Sequence, residues 1–154
     1  MTYEELLIKS DIEGLTVKEK PIKGNDGRIR NNRIAIRNDI ETTAEKSCVL
    51  AEELGHHYTS SGDILDQSDT MNQKQEYRAR LYGYNLKVGL MGIVQAYEHK
   101  CRNLYEMAEY LDVTEKYLQE ALVTYRNKYG ACKEVDNYII FFEPHLAVLR
   151  KFRD

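Results

Sequence analysis

The sequence predicts an α+β fold: a small domain in which a short antiparallel sheet packs on one long helix, followed by a helical C-terminal part with a helix-turn-helix-like outline. Three observations predict it. Alternating segments at residues 28–30 and 33–37 flank Asn31-Asn32, the pattern of two short strands joined by a tight turn. A capping residue precedes a glutamate by three positions at Thr2/Glu5, Thr42/Glu45 and Asn103/Glu106, marking three helix starts. Residues 104–122 read as helix, tight turn at Asp112-Val113, N-cap at Thr114 and helix again.

The 154 residues are enough for one domain, or one domain with a small appendage, and the natural division is 1–100 as core and 101–154 as a helical and strand C-terminal appendage. A hydrophobic fraction of 42% argues against disorder. No apolar run approaches the eighteen or so residues of a membrane span. The start, Met-Thr-Tyr-Glu-Glu, lacks the basic and apolar regions of a signal peptide, so a cytoplasmic protein without a membrane partner is expected. Cys48, Cys101 and Cys132 are odd in number and widely spaced, which suits reduced core thiols rather than a disulfide framework or a zinc knuckle. A formal net charge of −3 gives no global attraction to nucleic acid.

In chain order, the first helix should bury Leu6, Leu7 and Ile12 and end at Gly14. Residues 15–22 are strand-like up to Pro21 and the Gly24-Asn-Asp-Gly27 turn. In the strands that follow, Ile34 and Ile36 point one way and Arg33, Ala35 and Arg37 the other. Lys18, Lys20, Lys23, Arg28, Arg30, Arg33 and Arg37 outnumber Glu19 and Asp26 there. With no aromatic interleaving, this basic stretch reads first as the wet face and charged edges of a small sheet; a nucleic-acid patch is the competing reading, although no direct nucleic-acid partner is expected.

The second helix should run from Thr42 to about Thr59, closed by Ser60-Ser-Gly62. Residues 63–72 are polar and read as a loop or lid. A helix follows from about Gln73, with Glu76 facing Arg80 and with Tyr77, Leu81 and Tyr84 along another side. Residues 89–99 suit a short helix, Gly130 a helix stop, and 135–142 one buried strand. Residues 146–152 fit no single element. A DNA reader would place basic or amide side chains at the start of the second helix of 104–122. This one offers Glu115, Lys116, Gln119 and Glu120, which suits a packing module.

The chemistry concentrates in Cys48-Val-Leu-Ala-Glu-Glu-Leu-Gly-His-His-Tyr58. A zinc-peptidase helix carries His-Glu-x-x-His; here the frame is Glu52-Glu53-Leu54-Gly55-His56, with a carboxylate in place of the first imidazole. At about 100° per residue, Glu52 and His56 lie about 40° apart and one turn from each other, so their heads can converge on one ion. Leu50, Ala51, Leu54 and Tyr58 gather on the opposite, apolar side. Glu53 stands roughly 60° from His56, where a general base can reach a water without being a ligand. Glu76, some twenty residues on, can return alongside as a third ligand; the competing reading is a surface Glu76–Arg80 pair. His57, about 100° from His56, suits a role behind the ligands or in packing. Cys48 could supply a soft ligand, although free buried thiols are common. The whole cluster also fits a solvated helix face.

Several segments together resemble the ImmA/IrrE family of metallopeptidases: Arg-Ile-Ala-Ile-Arg37, Cys48 to Thr59, the Gly62-Asp-Ile loop, Gln75-Glu-x-x-Ala-Arg80 and Glu106-x-Ala-Glu-Tyr-Leu-x-Val-Thr-Glu-x-x-Leu118. The likeness covers roughly residues 28–130. It implies a zincin-like fold and a protein of phages or mobile elements that cleaves a helix-turn-helix repressor to relieve repression. Residue by residue, it makes Glu53 the general base, His56 a ligand, Glu76 the third ligand and Glu52 the occupant of the first ligand position, where this chain departs from the usual imidazole. A Glu, His, Glu set carries an extra negative charge and harder donors, which shifts preference from zinc toward manganese and slows the chemistry. Two outcomes follow from the resemblance. One is a slow endopeptidase whose strand at 34–37 pairs with an extended substrate segment. The other is a non-catalytic antirepressor that holds the repressor with a degenerate metal site.

Overall fold

The computed structural model describes residues 1–60 and 69–152. Two compact units divide the chain, Met1–Lys87 and Val88–Asp154. Both combine helices with a small sheet, so the fold is α+β.

The first unit opens with α1 (Tyr3–Ile12), whose N-terminus is capped by Thr2 Oγ1 accepting from Glu5 N at 3.2 Å. Leu6 is fully buried, but Ile12 is 78% exposed, and Tyr3 and Ser10 complete the inward face in its place. Gly14 then takes φ +81°, a left-handed turn that glycine adopts without steric cost. Strands β1 (Thr16–Lys20), β2 (Gly27–Arg30) and β3 (Arg33–Arg37) form a sheet in the order β1-β3-β2. The β2–β3 hairpin turns on Asn31 at φ 55°, a conformation asparagine tolerates better than most residues.

Two expectations are corrected here. The sheet is mixed, because β1 runs parallel to β3. The 34–37 segment is its central strand, so its backbone groups are already paired on both sides and cannot receive a substrate strand.

The inward residues Ile34 and Ile36 meet Leu50, Ala51 and Leu54 of α2 (Thr43–Thr59) in a core that also holds Tyr3, Leu6, Leu15 and Ile40. Thr42 Oγ1 caps α2 by accepting from Glu45 N at 3.1 Å. Tyr58, expected on the apolar side, is instead 42% exposed and stacks on Tyr82 with ring centroids 5.5 Å apart. Helix α3 (Asp69–Lys87) begins four residues before Gln73, so the end of the expected loop is helical; residues 63–68 of that loop lie outside the described residues. Along α3, Ala79, Tyr84 and Lys87 turn inward while Tyr77 is exposed.

The second unit contains α4 (Gly89–Glu98), α5 (Leu104–Leu111), α6 (Glu115–Tyr129) and a sheet of β4 (Cys132–Val135), β5 (Tyr138–Phe141) and β6 (Ala147–Arg150) in that order, antiparallel throughout. Asn103 caps α5, Asp112 at φ 57° ends it, and Thr114 caps α6. The expected single strand at 135–142 is a hairpin around Asp136-Asn137, and the unassigned 146–152 segment supplies its third strand. The apolar run Tyr-Ile-Ile-Phe-Phe hid the turn, because Asp136 and Asn137 mark its beginning rather than interrupt it. The fully buried Tyr125 packs near Phe142 and accepts a hydrogen bond from Gly89 N at 3.1 Å. Of the three cysteines only Cys48 is buried; Cys132 is exposed on β4, which corrects the expectation of core thiols. No described helix is long and apolar enough to cross a membrane.

Candidate metal centre

The pairing of α2 and α3 is set by Gly55 and Ala79. A Cβ built at Gly55 would collide with the Ala79 carbonyl oxygen, so glycine is what lets the two backbones approach this closely. Glu52 and His56 flank Gly55 on α2, and Glu76 lies one turn before Ala79 on α3. The close crossing therefore delivers all three side chains to one place. A ligand atom from each of Glu52, His56 and Glu76 lies within 4.8 Å of the others, and all three residues are half-buried. His56 Nε2 lies 3.6 Å from Glu76 Oε2.

Oxygen and nitrogen donors bound at about 2.0–2.2 Å in tetrahedral geometry sit roughly 3.4 Å from one another. The imidazole and Glu76 come close to that spacing, and Glu52 lies within 4.8 Å of both. Two carboxylates and one imidazole form a donor set suited to zinc or manganese. Exposed acidic groups also gather without an ion, so the donor set fits a metal without specifying one.

Electrostatics moves two of the neighbouring carboxyls, Glu52 and Glu53, in the same direction. Burial pushes the Glu52 carboxyl above its usual range, with the nearby Glu76 adding to the rise, while Arg80 and His56 oppose it. Burial likewise raises Glu53 to about 7, opposed by His56 and assisted by the charges of Glu52 and Glu76. Glu53 sits under the start of β2: a Cβ on Gly27 would lie 3.0 Å from Glu53 Cγ and 2.8 Å from Val49 Cγ1. This glycine keeps the strand close to the carboxyl.

Arg80 completes the cluster, with Nε 3.1 Å from Glu76 Oε1 and 3.9 Å from Glu52 Oε1. The Glu76–Arg80 pair read from the sequence is therefore present, and it coexists with the convergence on His56. His57 packs edge-on against Tyr58, ring centroids 4.7 Å apart. Cys48 is buried one turn before Glu52 and outside the convergent trio. The roles of Gly27, Gly55 and the second contact of Arg80 were not anticipated. None of the three had a signal in the sequence, because the four-residue spacing announces only the Glu76–Arg80 contact.

Neither a protein-family model nor a curated protein matches this chain.

Proposed function

We propose that this chain is a metal-dependent endopeptidase of the ImmA/IrrE kind, zincin-like in its first unit, that acts on a helix-turn-helix repressor. The observation that carries the reading is the convergence of Glu52, His56 and Glu76 with Glu53 electrostatically coupled to all three. The substrate class rests on the likeness of the motif series alone. Glu52, His56 and Glu76 would hold zinc or manganese, and a divalent ion so held supplies Lewis-acid polarisation of a scissile carbonyl. Glu53, titrating near neutrality, takes a proton from the attacking water and returns it to the leaving amine. Among the described residues no strand pairs with the outer edge of β2, which begins at Gly27 beside Glu53, and an extended substrate segment would add there as a further strand.

A second reading has its own support. Arg80 already lies against both Glu76 and Glu52, so the acidic pair is partly neutralised without an ion. On that reading the protein controls its repressor by binding alone. Incubation of the full chain with the repressor, with manganese or zinc supplied, separates the two. Cleavage that is abolished in Glu53→Gln while repressor binding persists supports the peptidase. Unchanged repressor loss in Glu53→Gln, or an intact repressor under every metal condition, sinks it.

A further inference from the structure

The outward face of the first sheet gathers charge of one sign. Register sets Thr16, Arg33 and Arg30 side by side across the three strands, followed by Lys18, Ala35 and Arg28 in the next row on the same face. Lys20 extends the β1 edge. Rows lie about 6.7 Å apart along a strand and strands about 4.8 Å apart across the sheet. The five cations Lys18, Lys20, Arg28, Arg30 and Arg33 thus line one open groove of about 410 Å³ floored by Ala35.

Among the described residues none of the five is paired with a carboxylate, whereas Arg37 at the end of the same face is held by Asp26 at 2.6 Å and Asp39 at 2.5 Å. Glu19, between Lys18 and Lys20 in sequence, points to the other face, where it receives hydrogen bonds from Tyr3 and Lys46. Arg30 and Arg33 face each other directly, and like charges in opposed positions cost a sheet stability. Among the described residues Arg28 alone of the five donates a hydrogen bond within the fold, from Nη2 to the Lys23 carbonyl at 3.3 Å, so a chain with a net charge of −3 holds these cations together with little return to folding.

We propose that this groove binds the phosphate backbone of duplex DNA without regard to sequence. An acidic protein segment would need apolar anchors, and of the two apolar residues lining the groove Ile34 is buried in the core, which leaves Ala35. Single strands stack on aromatic rings, of which the groove has none. Double-stranded RNA is told apart through its 2′-hydroxyls, for which Thr16 is the only neutral polar side chain among the described residues lining the groove. What remains is cation-to-phosphate contact, the positioning part of nucleic-acid binding. The inference is independent of the metal centre, whose residues lie on helices rather than on this face.

The test is fluorescence anisotropy of a labelled DNA duplex of about 20 base pairs, titrated with the full chain at about 50 and about 200 mM salt. Neutralising three or four phosphates predicts an affinity that falls about 40- to 150-fold between those salts, equally for unrelated sequences. Arg30→Gln combined with Arg33→Gln should abolish binding while thermal stability is kept or raised, because it removes an opposed like-charge pair. Lys116→Gln with Lys128→Gln in the second unit, with the same charge change, should leave binding intact. Absence of duplex binding at the lower salt, equal loss in both double variants, or tighter binding of double-stranded RNA or a polyglutamate peptide would each overturn the proposal.

Discussion

Gly55 of α2 lies directly against the backbone of Ala79 of α3, and this one crossing aligns Glu52 and His56 with Glu76. An alanine at position 55 would normally favour a helix by up to about 1 kcal/mol. Here it has to push the helices apart. Gly55→Ala should therefore destabilise the protein by about 1–3 kcal/mol, the usual cost of overpacking, and weaken manganese and zinc binding together. Urea denaturation and a metal titration read the two effects; a stabilised variant would mean that the crossing is looser than described.

Arg80 and a divalent cation compete for the same carboxylates. Removing a positive charge about 4 Å from the site is worth about 1 kcal/mol in a water-like medium. Arg80→Gln should thus tighten manganese binding by about fivefold, whereas Glu76→Ala should largely abolish it. Calorimetric titration of both variants checks the opposite signs, and weaker binding in Arg80→Gln would identify the arginine as a support for Glu76 instead of a competitor.

Glu53 gives the metal-free protein a pH dependence of definite sign. Its carboxyl titrates near 7 in the folded chain and in the ordinary glutamate range when unfolded, so the folded state holds the proton more tightly. No penalty exists below the unfolded value, and stability is lost as pH rises from there through about 7. With allowance for solvent screening, the loss is on the order of 1–2 kcal/mol. Chemical denaturation at intervals across that range should show it, and Glu53→Gln should flatten the profile.

The core under the sheet is tightly specified. Ile36 is fully buried between β3 and α2, and Ile36→Ala should cost about 2–5 kcal/mol. Thr42→Ala, which removes a cap from the same α2, should cost only about 1 kcal/mol. Denaturation midpoints that fail to rank the two in this order would locate the stability of the unit elsewhere.

Local chemistry was the legible part of this sequence. Caps at Thr2, Thr42, Asn103 and Thr114 lie where hydroxyl and amide spacing put them, and the β2–β3 hairpin turns at Asn31-Asn32. Helical rotation also placed Glu52 and His56 on one side of α2. Strand order was not legible, because alternation gives the same pattern in a central and an edge strand, and so a substrate-pairing role was assigned to 34–37, a strand already paired on both sides. The approach of α3 depends on Gly55 meeting a backbone atom far along the chain, and a glycine inside a helix announces no partner. Ile12 and Tyr58 show the same limit: helical phase marks an apolar side but not where the neighbouring element stops covering it.

Glu52, Glu53, His56 and Glu76 all come from Met1–Lys87, a unit with its own closed core. Recombination that exchanged everything after Lys87 would leave the acidic and imidazole groups together with the scaffold that aligns them. The four side chains and the core beneath them are thus encoded by one continuous stretch of sequence.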